Sequence, residues 1–184
     1  MQVQELKLAG VFLISPRVFK DNRGFFVETY QAERYRKVGI DVTFVQDNHS
    51  RSAERTLRGL HYQSSPGQAK LVRVGAGRIY DVVVDIRLDS PTFGQWDGVY
   101  LDAEQHEQLF VPIGFAHGFC VVSEMADVIY KVSAPYDAAT ECGIAYDDPT
   151  LGVEWPVSDP ILSARDQKAE SFLDFARRHG RDVR

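Results

Sequence analysis

The stretch TLRGLHYQSSPGQAKLVRVGAGRIYDVVVDIR, residues 56–87, holds three short runs rich in Leu, Val, Ile and Tyr, parted by the turn residues of SSPGQ and GAG. Runs of seven or eight residues with β-branched and aromatic side chains, bounded by Gly, Pro and Ser, read as strands. The same punctuation continues to both sides, in GVFLISPRVF (10–19), GFFVETY (24–30), VTFVQDNHS (42–50), GQWDGVYLD (94–102), EQLFVPIG (107–114), HGFCVVSE (117–124) and ADVIYKVSA (126–134). About ten short strands at this spacing predict an all-β sandwich or barrel of the jelly-roll kind.

The chain has 184 residues, 44% hydrophobic and 11% aromatic, which suits one globular domain spanning 1–184. Its formal charge is −5, from 21 basic and 26 acidic side chains, which argues against a nucleic-acid polymer or an anionic membrane as the main partner. A small anion remains admissible, because a few arginines in one cleft outweigh the net sign locally. No apolar run approaches the ~20 residues of a membrane helix. Cys120 and Cys142 are the only cysteines and nothing at the N-terminus reads as a signal peptide, so both are expected as buried, reduced thiols in a cytoplasmic protein.

Two helical stretches interrupt the strands. QAERYRKVG (31–39) reads as a short helix with Gly39 past its end. SARDQKAESFLDFARRH (163–179) reads as a C-terminal helix with Ala169, Phe172, Leu173 and Ala176 on one face. Ser163 would cap it, and Asp166 would complete the capping box.

The histidines are His49, His61, His106, His117 and His179, and no two stand in a His-x-His metal pair. P-loop, dinucleotide fingerprint and Cys-x-x-Cys are all absent. PIGFAHGF (112–119) fits the second half-signature of cupin barrels through Pro112, Gly114 and His117, but the first half-signature, which carries the other metal ligands, is missing. The expectation is therefore a cupin-like jelly-roll barrel with no metal and no cofactor.

Without a metal, His61 is the natural base at neutral pH, and a carboxylate on one ring nitrogen would fix its tautomer. Lys70, heading the next strand, can stabilise an oxyanion, and Tyr130 can supply a phenolic proton. Base, cation and acid together describe proton removal beside a carbonyl and proton return from the other face. Each residue also has a plain reading: a structural histidine, an exposed strand lysine, a core tyrosine. A regular strand would send Arg58 and His61 to opposite faces, so both reach one pocket only if the strand bulges, with Gly59 the natural place.

Beyond single motifs, the segments DNRGFFVETY (21–30), FVQDNHSRS (44–52), LRGLHYQ (57–63), QAKLVRV (68–74), DVVVDIRLDSPTFGQW (81–96), VPIGFAHGF (111–119), IYKVSAPY (129–136) and LSARD (162–166) resemble, in order and over nearly the whole chain, the dTDP-4-dehydrorhamnose 3,5-epimerases. The resemblance implies a metal-free, cofactor-free homodimer that inverts the two centres flanking the C4 ketone of a dTDP-4-keto-6-deoxyhexose. It implies His61 as base, Asp166 as its carboxylate partner, Tyr130 as the opposing acid and Lys70 beside the C4 oxygen. His117 would line the pocket, and Arg23, Glu28, Gln46, Asn48, Arg58, Tyr136, Glu141 and Arg165 would contact nucleotide and sugar. Arg23 and Glu28, on an early strand, would serve the neighbouring subunit's pocket. The sequence departs from the family's usual pattern at Ala134, Pro135 and Tyr146, which leaves open a 3- or 5-mono-epimerase, or a barrel that binds a nucleotide sugar without turnover.

Overall fold

The computed structural model describes residues 1–182. Its strands are β1 (Gln2–Glu5), β2 (Phe12–Ser15), β3 (Val18–Asp21), β4 (Gly24–Val27), β5 (Gln46–Ala53), β6 (Leu57–Gln63), β7 (Lys70–Ala76), β8 (Arg78–Asp85), β9 (Trp96–Asp102), β10 (Gln108–Val111), β11 (Phe115–Val121), β12 (Met125–Val132) and β13 (Glu141–Gly143). Two antiparallel sheets face each other, one ordered β1-β2-β10-β7-β12-β5 and the other β13-β6-β11-β8-β9, while β3 and β4 form a separate hairpin. This is the cupin-like jelly roll expected from the strand spacing.

Period-two alternation assigns each side chain to a face. Val72 and Val74 of β7, Ile79 and Val83 of β8, and Phe119 and Val121 of β11 meet in the core between the sheets. The intervening Val82 and Val84 turn to a second cluster with Leu60, Phe172 and Phe175, on the outside of the five-stranded sheet. Leu71 and Phe110 join Tyr35 and Ile40 on the outer face of the other sheet. Because β8 is buried on both faces, its sequence IYDVVVD is almost continuously apolar rather than alternating.

Two strands escape the sequence pattern, β1 and β13, and both lie at sheet edges. Edge strands have less core to face, and β1 is a largely exposed QVQE while β13 is only three residues long. The N-terminal helix is present as α1 (Ala32–Arg36), with the Gln31 side chain accepting from the Arg34 amide and Gly39 in the left-handed region at φ +92°.

The single C-terminal helix expected over 163–179 is instead two pieces. A 3₁₀ turn spans Asp166–Lys168, and α2 (Phe172–Arg178) follows. Between them Ala169 is extended, and Ala145 donates to the Glu170 carbonyl at 2.8 Å, drawing the chain alongside the residues after β13. Ser171, not Ser163, caps α2, and the Asp148 carboxylate takes the Phe172 amide at 2.8 Å. Phe172, Phe175 and Ala176 are the buried residues of α2, whereas Ala169 lies outside it and Leu173 is only half-buried. The thiols are both free, but only Cys120 is buried, and Cys142 is half-exposed. No helix among the described residues is long and apolar enough to cross a membrane.

The bulge demanded by Arg58 and His61 lies at Gly59. Pairing of β6 with β11 steps from His61↔His117 to Arg58↔Phe119, so two residues of β6 oppose one of β11 and both side chains reach one face. Gly59 sits at φ +129°, and a Cβ there would stand 2.5 Å from the Gly118 Cα and 2.8 Å from the His117 carbonyl oxygen. Gly59→Ala is expected to cost about 3 kcal/mol or more in chemical denaturation. Gly24→Ala, also at positive φ but with no atom of the other described residues beyond its chain neighbours within 4 Å of the added carbon, should cost only about 1–2 kcal/mol. Equal losses at the two sites would remove the crowding argument.

Candidate active site

A cavity of about 390 Å³ opens at one end between the sheets. The five-stranded sheet contributes Arg58 and His61 from β6, His117 and Phe119 from β11, and Glu141 from β13. The six-stranded sheet supplies Gln46, Asn48 and Ser50 from β5, Lys70 from β7 and Tyr130 from β12. Gln68, Tyr136 and Arg165 close the rim from loops.

Asp166 stands behind the cavity wall, 5% exposed, with its Oδ1 2.6 Å from His61 Nε2. The Ser163 hydroxyl accepts from the Asp166 amide at 3.1 Å, so the expected cap exists in part, but the carboxylate turns to the imidazole instead of completing a box. Burial pushes the Asp166 carboxyl up, yet the His61 hydrogen bond and charge, with Ser163 and Arg165, outweigh it and hold the group below its ordinary value. Arg165 Nη2 stands 2.9 Å from the same His61 nitrogen. A guanidinium only donates and a carboxylate only accepts, so Nε2 can serve one of them at a time. The shorter, buried carboxylate contact selects the Nε2–H tautomer and leaves Nδ1 with the free lone pair. The other side of Arg165 is ion-paired with Glu141 at the rim.

Lys70 is buried, 8% exposed, and its Nζ donates to the His61 carbonyl at 3.4 Å. Loss of water pulls its pKa down to about 8, and the nearby Asp81 and Glu141 carboxylates limit the fall. Tyr130 is pushed up, mainly by burial and further by Glu141, with Arg58 opposing, so its phenol stays protonated at neutral pH. His117, 7% exposed, gives Nε2 to Asp81 Oδ1 at 2.8 Å, and burial lowers its pKa despite that carboxylate.

Arg23 and Glu28 do not line this cavity. Arg23 is at the tip of the β3–β4 hairpin, 85% exposed and ion-paired with Asp21, and Glu28 pairs with Arg34. The hairpin also exposes Phe19, Phe25 and Phe26. Among the departures, Ala134 and Pro135 present carbonyls to Gln68 and Gln63 beside the cavity, whereas Tyr146 lies away from it and its carbonyl accepts from the Trp155 indole. Of the other histidines, His49 is exposed and near Asp127, His179 is exposed, and His106 is half-buried against Phe25.

Sequence reasoning passed over Ser50, Gln68, Phe119 and Asp81. Ser50 was within reach of a pattern, since Gln46, Asn48, Ser50 and Ser52 are the same-face residues of β5. Its hydroxyl is buried without a hydrogen-bond partner among the described residues. Among the described residues no three His, Cys, Asp or Glu side chains come together as a metal site would need.

A cupin-like barrel whose polar end pairs a half-buried imidazole and its buried carboxylate with a phenol and an ammonium suits a carbohydrate epimerase. The model of the family described as dTDP-4-dehydrorhamnose 3,5-epimerase matches residues 5–174. The dTDP-4-dehydrorhamnose 3,5-epimerase of Shigella flexneri is 48% identical over 176 residues, covering 95% of this chain and 97% of that one. The crystal structure of the dTDP-6-deoxy-D-glucose-3,5-epimerase from Legionella pneumophila, in complex with dTDP-4-keto-L-rhamnose, is 48% identical with a TM-score of 0.90 and 92% coverage of each chain. The dTDP-4-dehydrorhamnose 3-epimerase of Streptomyces niveus is 40% identical, over 92% of this chain and 83% of that one. The chain belongs to the dTDP-4-dehydrorhamnose 3,5-epimerase family.

The burial of Lys70 predicts its titration. Followed by ¹³Cε NMR and identified by its loss in Lys70→Arg, it should be an ammonium at pH 7 and deprotonate as the pH rises through about 8, well before the exposed lysines. A midpoint shared with the exposed lysines would show that water reaches it freely.

Proposed function

We propose that this chain converts dTDP-4-dehydro-6-deoxy-D-glucose to dTDP-4-dehydro-L-rhamnose, inverting C3 and C5 of the hexose. The observation that carries the reading is that His61, backed by Asp166, and Tyr130 enter one cavity from opposite sheets, with buried Lys70 lining the same cavity. His61 Nδ1 takes the proton from a carbon beside the C4 ketone, and the C–H electron pair moves to the C4 oxygen. The Lys70 ammonium offsets that negative charge. The Tyr130 hydroxyl then gives a proton to the opposite face of the same carbon, the electron pair returns from oxygen, and the configuration is inverted. Imidazolium and phenolate recover by proton exchange with water, and a second round acts on the other carbon. Every step moves protons alone, so the sequence of events is redox-neutral.

Positioned acids and bases contribute roughly 10²–10⁴-fold each, and an oxyanion donor about 10²–10³-fold. Those factors suit a ketone that already acidifies its neighbouring C–H bonds. At the rim, Arg58 and Arg165 carry fork-shaped donors suited to a diphosphate, and exposed Tyr136 offers a ring to a base. Gln46, Asn48 and Glu141 complete the polar wall that would hold nucleotide and sugar, with His117 at the floor.

Arg23 and Glu28 fit this function as contributions to a second copy's pocket, in a homodimer. The exposed phenylalanines of the β3–β4 hairpin support that reading, since apolar rings on a projecting arm gain by burial. The two free thiols suit a cytoplasmic site of action.

Incubation with dTDP-4-keto-6-deoxyglucose in deuterated water, read by NMR, tests the reaction. Deuterium at both C3 and C5 is the expected result. Label at one carbon alone would make this a mono-epimerase, the activity in the name of the Streptomyces niveus relative, and no label would leave a binding protein. His61→Asn should abolish exchange, and Tyr130→Phe should leave some exchange but little inverted sugar. Sedimentation equilibrium should give twice the chain mass, and Phe26→Asp should release monomers; a monomeric wild type would remove Arg23 and Glu28 from any pocket.

A further inference from the structure

Asp81 is the one acidic residue in the inward row of β8 between Ile79 and Val83, both members of the inter-sheet core. It is 0% exposed. One carboxylate oxygen meets His117 Nε2 at 2.8 Å, and the other, Oδ2, is buried with no hydrogen-bond partner among the described residues. A carboxylate removed from water costs several kcal/mol, and Val or Leu would fill the row without that penalty. Holding His117 uses only half of the group. The half-free carboxylate therefore points to a further task in the polar end of the barrel: buried Lys70 donates to the carbonyl of His61, the cross-strand partner of the His117 that Asp81 holds, and Asp81 favours its charge more than any other group does.

We propose that Asp81 is a positioning residue of the active site: from beneath the cavity floor it fixes His117 through one oxygen and holds Lys70 as an ammonium, aimed at the C4 oxygen, through the field of the other. The proposal rests on the epimerase reading and adds to it the group that keeps its electrophile charged. The charged and titratable groups around Lys70 are His61 on β6, Asp81 on β8, His117 on β11, Tyr130 on β12 and Glu141 on β13, with Arg58 further along β6. Glu141 sits at the rim, committed to Arg165, and Asp166 is turned away to the far nitrogen of His61. Asp81 is thus the buried carboxylate left to Lys70. His117, pressed by Lys70 and His61 and desolvated, stays neutral and serves as a spacer that donates to Asp81.

The sign of the effect follows from linkage. A carboxylate beside an ammonium raises its pKa, so removing the carboxylate lowers it, and the ammonium is lost at a lower pH. Asp81→Asn keeps the shape and the contact to His117 while removing the charge. The Lys70 ¹³Cε titration should move down by about one pH unit or more relative to wild type. The alkaline limb of kcat should move with it. Above the limb, kcat should then be roughly tenfold lower for each pH unit the limb has moved, with KM held within about twofold. Asp81→Glu should restore most of the wild-type limb.

Unchanged titration and an unchanged limb in a folded Asp81→Asn protein would overturn the proposal, as would a loss of thermal stability with kcat and its pH profile intact. If that protein does not fold, the wild-type titration decides, and a Lys70 already neutral at pH 7 overturns it. Wild-type protein that exchanges no deuterium would sink the epimerase reading instead. The lysine titrations need no substrate and would still judge Asp81.

Discussion

The hydrogen bond between His61 and Asp166 joins the barrel wall to a turn 105 residues further along the chain, and most of the remaining architecture serves it. For the imidazole to lie in the cavity, β6 must bulge, and the bulge requires Gly59 against Gly118 with no side chain on either. For the carboxylate to reach it, the C-terminal segment must leave helical geometry after Lys168 and run extended at Ala169. That path is held by the bridge from Ile144 to Glu170 and by Asp148 gripping the first amide of α2. The aromatic face of α2 then anchors the segment on the outside of the same sheet that carries His61. A single 2.6 Å contact therefore draws on a bulge, a broken helix and an external apolar cluster.

The two ends of the barrel divide the work of stability and chemistry. Several inward rows change character along their length. On β7 the row reads Lys70, Val72, Val74; on β12 it reads Val132, Tyr130, Val128, Ala126; on β11 it reads Phe115, His117, Phe119, Val121. The apolar end is a dry core of Val, Leu, Ile and Phe, and burial at about 25 cal/mol per Å² there offsets the cost of holding polar groups at the other end. On β8 the inward residue Asp81 likewise stands between apolar neighbours, Ile79 and Val83, and it is the one that carries a carboxylate there.

How far the sequence discloses this differs by feature. Strand positions were legible wherever both faces are apolar or alternate, and β1 and β13 were not because edge strands have less core to bury. The bulge at Gly59 was legible from a conflict, two polar residues three apart that both needed one face. The C-terminal break was not, since SARDQKAESFLDFARRH has an uninterrupted helical pattern and only tertiary contacts at Asp166, Glu170 and Ser171 override it. Ten of the thirteen expected site residues meet in the cavity and Asp166 backs it, while Arg23 and Glu28 sit on and just after a hairpin that one chain alone leaves outside. Asp81 was hidden in a run of valines, where a lone aspartate looks like an interruption and gives no sign of its face.

Desolvation links these observations to rate. Two unit charges 4 Å apart interact by about 1 kcal/mol in water and about 4 kcal/mol at the effective dielectric of a protein site. An ammonium at the cavity mouth would therefore do little for an enolate, whereas Lys70, shielded by strands of both sheets, would act on it through a poor screen. The same shielding threatens the cation itself, because burial alone would discharge it and leave a neutral amine unable to offset the oxyanion. A site that needs a strong field needs a dry wall, and a dry wall needs a countercharge placed where it cannot reach the substrate. The inward side chains of this barrel meet that condition by putting the carboxylates behind the histidines, Asp166 behind His61 and Asp81 behind His117, so that the reacting sugar would face an imidazole, a phenol and an ammonium before any negative group of the floor.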